Sequence, residues 1–115
     1  MIRPGDLYYA NIPEAGRRPV LVVSRESLNR GHYVCVVLLT SSRVDLRRTL
    51  PNCVYFPAMA FGLSASSVAQ CETMTALDIE FLDLAAGVIG RLDEDAMRQV
   101  VRAIGHVIQA ECELF

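Results

Sequence analysis

Few side chains in this sequence can move a proton, hold a charge or bind a metal. Its two histidines, His32 and His106, are of the type that serves as acid and base near neutral pH. His32 stands in a polar stretch and His106 lies between Gly105 and Val107 in an apolar periodic segment, so both read as surface or packing residues. The four cysteines, at 35, 53, 71 and 112, match neither a metal knuckle nor a CxxC pair and read as buried free thiols. No Gly-rich phosphate loop, HExxH motif or nucleophile elbow is present, so neither a cofactor nor a metal is expected. What remains is arginine. From Arg17 to Arg48 seven arginines stand against Glu26 and Asp45, whereas from Ser66 onward nine acids outnumber Arg91, Arg98 and Arg102. One half of the chain is therefore suited to face phosphate while the other faces solvent or a partner. All eleven basic residues are arginines, whose planar fork binds phosphate in bidentate fashion. Two polar groups in the basic half stand at the ends of apolar runs: the charges of Arg17 and Arg18 before one, and the hydroxyls of Thr40-Ser41-Ser42 after another. Taken alone, Arg18 reads as a surface ion-pair residue and Thr40 as an ordinary strand end.

The elements that must position these groups are mostly strands. Strands are expected from Gly5 to Asn11, from Arg18 to Ser24, from Tyr33 to Thr40, around Cys53 to Phe56, from Ser66 to Thr75 and from Gly87 to Leu92. Pro13 and Gly16 break the first two into a hairpin, and Pro19 is tolerable only near the start of its strand because it lacks a donor N–H. The run Val34 to Leu39 is apolar throughout and reads as a central, buried strand. The polar segment from Ser41 to Arg48 reads as a mobile loop closed by Pro51, and Asp78 to Leu82 as a helical turn. From Asp93 the period changes: Met97, Val100, Val101, Ile104, Val107 and Ile108 recur at helical steps, with Asp93 as N-cap.

Length and composition set the frame. With 115 residues, 52% of them apolar, the chain is read as one domain over residues 1–115. Strands followed by a terminal helix imply a mainly β fold, a small antiparallel barrel with a C-terminal α-helix. No signal-peptide pattern opens the sequence and no apolar run is long enough for a bilayer, so a cytoplasmic protein without membrane contact is expected.

Several blocks occur in order: Gly5-Asp6-Leu-Tyr-Tyr, Gly16-Arg-Arg-Pro-Val-Leu-Val-Val-Ser24, Val36-Val-Leu-Leu-Thr-Ser-Ser42, and Ser67-Val68 through Leu77-Asp78. Together they resemble the MazF/PemK toxins, whose strands carry Gly-Asp, Gly-x-Arg-Pro-Val-Leu-Val and a terminal Thr-Ser. The resemblance implies an SH3-like antiparallel β-barrel of the CcdB/MazF/PemK type and a homodimer. It also implies a toxin that cuts single-stranded RNA at short sequences, without metal, leaving 2′,3′-cyclic phosphate and 5′-hydroxyl ends. The family's catalytic arginine corresponds to Arg18, and the threonine ending its third strand to Thr40. Arg17, Ser41, Arg43, Arg47, Arg48 and Glu14 are the expected RNA-contacting residues. The implied partner besides RNA is a cognate MazE-like antitoxin, acidic and partly disordered, lying over the arginine-rich half. In places the pattern departs from the family. The loop from Pro13 to Gly16 is several residues short and lacks the usual Glu-Gln step, and Thr73 and Thr75 stand where the family often has glutamine and arginine.

The chemistry suits the residues by itself. Attack of a ribose 2′-hydroxyl gathers negative charge on a five-coordinate phosphate, which a guanidinium and a neighbouring hydroxyl stabilise. Arginine stays protonated, so Arg18 is read as an electrostatic and donor group, and the general base is left unassigned. The competing class is a non-catalytic protein-binding module, in its concrete form a gyrase inhibitor of the CcdB type. That group acts through a tryptophan-bearing tail, and this chain has no tryptophan.

Overall fold

The computed structural model describes residues 1–108; the expectation for Cys112 falls outside them. Strands β1 (Asp6–Ile12) and β2 (Gly16–Val22) form a hairpin in which Leu7 faces Leu21 and Ile12 faces Gly16. Strand β3 (Tyr33–Thr40) follows, then a short helix α1 (Val44–Arg47), β4 (Cys53–Phe56), β5 (Ser67–Asp78), β6 (Val88–Arg91) and the terminal helix α2 (Glu94–Val107). All six strands join one sheet in the order β4-β5-β3-β2-β1-β6, with every pairing antiparallel.

Alternation along the strands sends side chains to two cores. Leu7, Leu21, Val37 and Leu39 turn toward α2, whose Ala96, Val100 and Ala103 close that face together with Phe56 and Leu63. Tyr8, Ala10, Val20, Val22, Val34 and Val36 pack on the opposite face with Leu77 and Leu82. Two-sided burial explains why β3 is apolar throughout rather than alternating. Strand β5 serves both faces because it is interrupted: Val36 faces Thr75 but Leu38 faces Gln70, so five steps of β5 oppose two of β3. Across that bulge Ala69 and Cys71 pack toward α2, while Leu77 packs on the far side. Thr73 takes over the interrupted ladder, its Oγ1 accepting from the Leu38 N–H (2.9 Å) and donating to the Gln70 carbonyl (2.6 Å).

The curled sheet ends in β4 and β6, which do not pair with each other. It is closed by backbone laid on backbone, where the segment after β4 meets β6. A Cβ on Gly62 would lie 2.2 Å from the Ile89 carbonyl oxygen, and one on Gly90 would lie 1.8 Å from that of Phe61. Gly62 also has φ +83°, which disfavours any other residue. Only glycine fits this seam.

At the start of β1 the carboxylate of Asp6 is fully buried, yet it is satisfied: it accepts from Arg91 Nε (2.5 Å) and from the Arg3 amide (2.9 Å). It thereby ties β1 to the end of β6, which accounts for the Gly-Asp opening. Helix α2 starts as expected, the Asp93 side chain accepting from the Ala96 N–H at 2.8 Å. Its buried face differs from the apolar stripe read in the sequence. Ala96, Val100 and Ala103 make the contact with Met97 and Ile104 beside them, and Val101, Val107 and Ile108 remain exposed. The polar segment after β3, read as a loop, contains the short helix α1 and side-chain hydrogen bonds of its own. Among the described residues no helix is long and apolar enough to cross a membrane.

Candidate active site

Pro19 decides where the site opens. It pairs with Tyr9 on the β1 side, but the ladder to β3 begins only at Val20, opposite Leu38. From Pro19 back to Gly16, β2 is therefore held by β1 alone, and a crevice opens between it and the end of β3. The same register, extended two residues, brings Arg18 level with Thr40. A cavity of about 340 Å³ fills the crevice, lined by Arg17, Arg18, Thr40 and Ser41 and walled by Tyr9, Ser64 and Ser67 among others.

Arg18 Nη2 donates to the Leu39 carbonyl at 3.2 Å. A guanidinium carries five N–H groups, so the others are left for a bound anion. Thr40 Oγ1 is 3.0 Å from Ser42 Oγ and accepts from the Ser42 amide at 3.2 Å. The side chains lining the cavity, among the described residues, include no carboxylate, imidazole or thiol. They offer hydroxyls and arginines, which suit an anion and provide no ordinary base.

The other expected contact residues have diverse surroundings. Arg17 lines the cavity, but its Nη1 donates to Asp83 Oδ2 at 2.7 Å and its guanidinium lies 4.6 Å over the Tyr9 ring. The Ala86 amide and Arg17 together hold the Asp83 carboxyl below its ordinary range. Ser41 and Arg43 line an adjoining recess with Asp45 and Tyr55. Arg48 stacks 3.6 Å over the Tyr55 ring and borders a further recess with Arg102 and His106. Arg47 is turned back onto Ser42. Glu14 sits at the hairpin tip with φ 68° and is not part of the cavity wall. His32 borders a separate recess with Asp78 and Asp83, far in sequence from His106 and sharing no recess with it. Burial pushes the Cys71 thiol up to about 12, so it is a packing residue rather than a nucleophile. Among the described residues no cluster of three or more His, Cys, Asp or Glu is arranged to hold a metal.

Sequence reading missed the far wall, Leu63, Ser64 and Ala65 from the connection between β4 and β5 and Ser67 at the start of β5. Its signal was there in the small, hydroxyl-rich run Ser64-Ala-Ser-Ser67 beside Gly62.

The fold recurs in known proteins. The model of the PemK-like, MazF-like toxins of type II toxin-antitoxin systems matches residues 3–108. The chain belongs to this family. Solved structures of MazF toxins share its fold. A mycobacterial endoribonuclease in complex with its cognate antitoxin superposes with a TM-score of 0.80 at 21% identity, covering 96% of this chain and 98% of the other. The Mycobacterium tuberculosis toxin MazF-mt6 gives 0.76 at 24% identity, covering 90% and 96%. A MazE-MazF structure from Deinococcus radiodurans gives 0.73 at 22%, covering 93% and 94%. No curated protein matches the chain significantly. The chain is thus a MazF/PemK-like toxin of a toxin–antitoxin system, a six-stranded antiparallel curled sheet with a C-terminal helix.

Proposed function

We propose that this MazF-like toxin is a sequence-specific endoribonuclease of the cytoplasm that cuts single-stranded RNA. The observation that carries the reading is the meeting of Arg18 and Thr40 in one cavity at the unzipped end of the β2–β3 ladder. With the scissile phosphate in that cavity, the ribose 2′-oxygen bonds to phosphorus and the bond to the 5′-oxygen breaks. The products are a 2′,3′-cyclic phosphate and a 5′-hydroxyl. Arg18 stabilises the charge of the five-coordinate phosphate and donates toward the leaving oxygen, and the Thr40 hydroxyl donates to a non-bridging oxygen. The cavity wall, among the described residues, offers no carboxylate or imidazole. In this reading water therefore takes the 2′-hydroxyl proton and solvent returns a proton to the departing 5′-oxygen, while Arg18 stays protonated and supplies a hydrogen bond. Ser41, Arg43 and Arg48 guide the flanking strand through the adjoining recesses.

The working unit in this reading is a homodimer, and its partner is a MazE-like acidic segment that competes with RNA for the arginine-rich surface. Structural neighbours include a mycobacterial endoribonuclease in complex with its cognate antitoxin and MazE-MazF from Deinococcus radiodurans. The test is incubation of purified protein with a long single-stranded RNA in excess EDTA. Discrete fragments with cyclic-phosphate ends are expected from the native protein. Intact RNA, or fragments bearing 3′-hydroxyl ends, would overturn the reading.

A further inference from the structure

Arg47, expected from the sequence to contact phosphate, is bonded to Ser42, the residue that follows the cavity-lining Thr40 and Ser41. Its Nη1 donates to the Ser42 carbonyl at 2.7 Å and to Ser42 Oγ at 2.8 Å. Ser42 in turn meets Thr40 twice, through its amide at 3.2 Å and its Oγ at 3.0 Å. The backbone is bent to permit this: Arg43 has φ 52°, and α1 folds back so that its last residue returns to Ser42. A left-handed conformation at a non-glycine residue persists where the surroundings over-determine it. Here the paired Arg47 bonds do so.

Hydroxyl valence sets the direction of these bonds. A serine or threonine hydroxyl has one hydrogen to give and two sites that accept, while arginine only donates. Arg47 therefore occupies an accepting site of Ser42 Oγ and strengthens the Ser42 O–H as a donor. When that hydrogen goes to Thr40 Oγ1, Thr40 accepts from both the Ser42 amide and the Ser42 hydroxyl. Both its accepting sites are then filled, and its own hydrogen is free to enter the cavity. The reverse direction would tie the Thr40 hydrogen to Ser42. A phosphate oxygen in the cavity can only accept, so it selects the first arrangement.

We propose that Arg47 and Ser42 are positioning residues that set the Thr40 hydroxyl as a hydrogen-bond donor to the scissile phosphate, so that Arg47 governs the chemical step rather than RNA affinity. This rests on the ribonuclease reading above. The test compares single-turnover cleavage at saturating protein, and RNA affinity across a salt series, for the native protein, Arg47→Ala, Arg47→Lys, Ser42→Ala, Arg43→Asn, Thr40→Ala and the Thr40→Ala/Arg47→Ala pair. Arg43→Asn keeps a residue that tolerates the left-handed backbone. Arg47→Ala and Ser42→Ala are expected to slow the saturated rate by roughly ten- to a hundredfold, the scale of a slight misplacement. Their salt slopes should stay at the native value. Arg47→Lys should recover part of the rate, since its ammonium can still donate to Ser42. Arg43→Asn, at an arginine that guides the flanking strand, should lower the salt slope by about 0.7. In the Thr40→Ala background, Arg47→Ala should add nothing. A native rate at saturation with a reduced salt slope in Arg47→Ala would make it a phosphate contact and overturn the inference. A full multiplicative loss in the Thr40→Ala background would overturn it as well, since Arg47 would then act independently of Thr40. Native protein that leaves RNA intact would sink the ribonuclease reading and this inference together, whereas either of the other two results with active native protein sinks this inference alone.

Discussion

Arg18 Nη2 donates to the backbone carbonyl of Leu39, the residue directly before Thr40, at 3.2 Å. The cationic group and the hydroxyl are thus referenced to the same peptide at the end of β3. Arg18 lies beyond the β2–β3 ladder and contributes little core, so Arg18→Ala should keep the circular dichroism of the native protein. Its single-turnover rate should fall about a hundred- to a thousandfold, the usual loss for one preorganised donor. Arg18→Lys should recover only part, because it keeps charge without the planar fork. A native rate in Arg18→Ala would remove this residue from the chemistry.

Arg17, at the cavity wall, is paired with Asp83 at 2.7 Å, a pairing that on the ribonuclease reading competes with RNA for its charge. Asp83→Asn should release it, tightening RNA binding at low salt and steepening the salt dependence. The pair should also be robust toward acid. The Ala86 amide, then Arg17, hold the Asp83 carboxyl below its ordinary value. A carboxylate lowered in this way stabilises the fold above its unfolded pKa of about 4 and loses that contribution only as pH falls through the lower folded value. Exchange of the Ala86 N–H, which donates to Asp83 Oδ1 at 3.0 Å, should therefore stay protected from pH 7 down to about 5. Loss of protection within that window would contradict the assignment.

The β5 bulge depends on one hydroxyl. Thr73→Val preserves shape but removes the Oγ1 that bridges the Leu38 amide and the Gln70 carbonyl. Leaving those groups without their partner should cost about 1–3 kcal/mol in urea unfolding. An unchanged midpoint would show that the bulge is held by packing alone.

The seam that closes the sheet leaves no room for a methyl group. Gly90→Ala would put a Cβ against the Phe61 carbonyl, and relief requires moving backbone rather than a flexible side chain. A loss of about 1–3 kcal/mol or more is expected. The control Gly87→Ala meets nothing nearby, though its φ of +79° carries some strain of its own. Thermal unfolding should rank Gly90→Ala well below it, and equal melting points would argue against a tight seam.

Local chemistry was enough for much of this protein. The bounds of β3 and β4 and the Asp93 cap of α2 match what apolar runs and capping residues indicate, because these signals act between residues close in sequence. Arg18 and Thr40 stood out through the order of family blocks, since each residue alone is unremarkable at a strand end. Their meeting needed the β2–β3 register, and the empty side of that register traces back to Pro19. Other features had no local signature. Arg17 finds Asp83 across 66 positions of chain, Gly62 meets Ile89 only after the sheet has curled, and the face of α2 that is buried is set by the β4 and β5 surface it packs against. Arg47 shows the limit most clearly. Its charge and loop position were plain from the sequence, but its bonds to Ser42 form only when the left-handed turn at Arg43 and the short helix α1 bring it back to that serine. Side-chain periodicity encodes which residues are apolar together, while the direction of a charged side chain is set by partners that only folding brings within hydrogen-bonding distance.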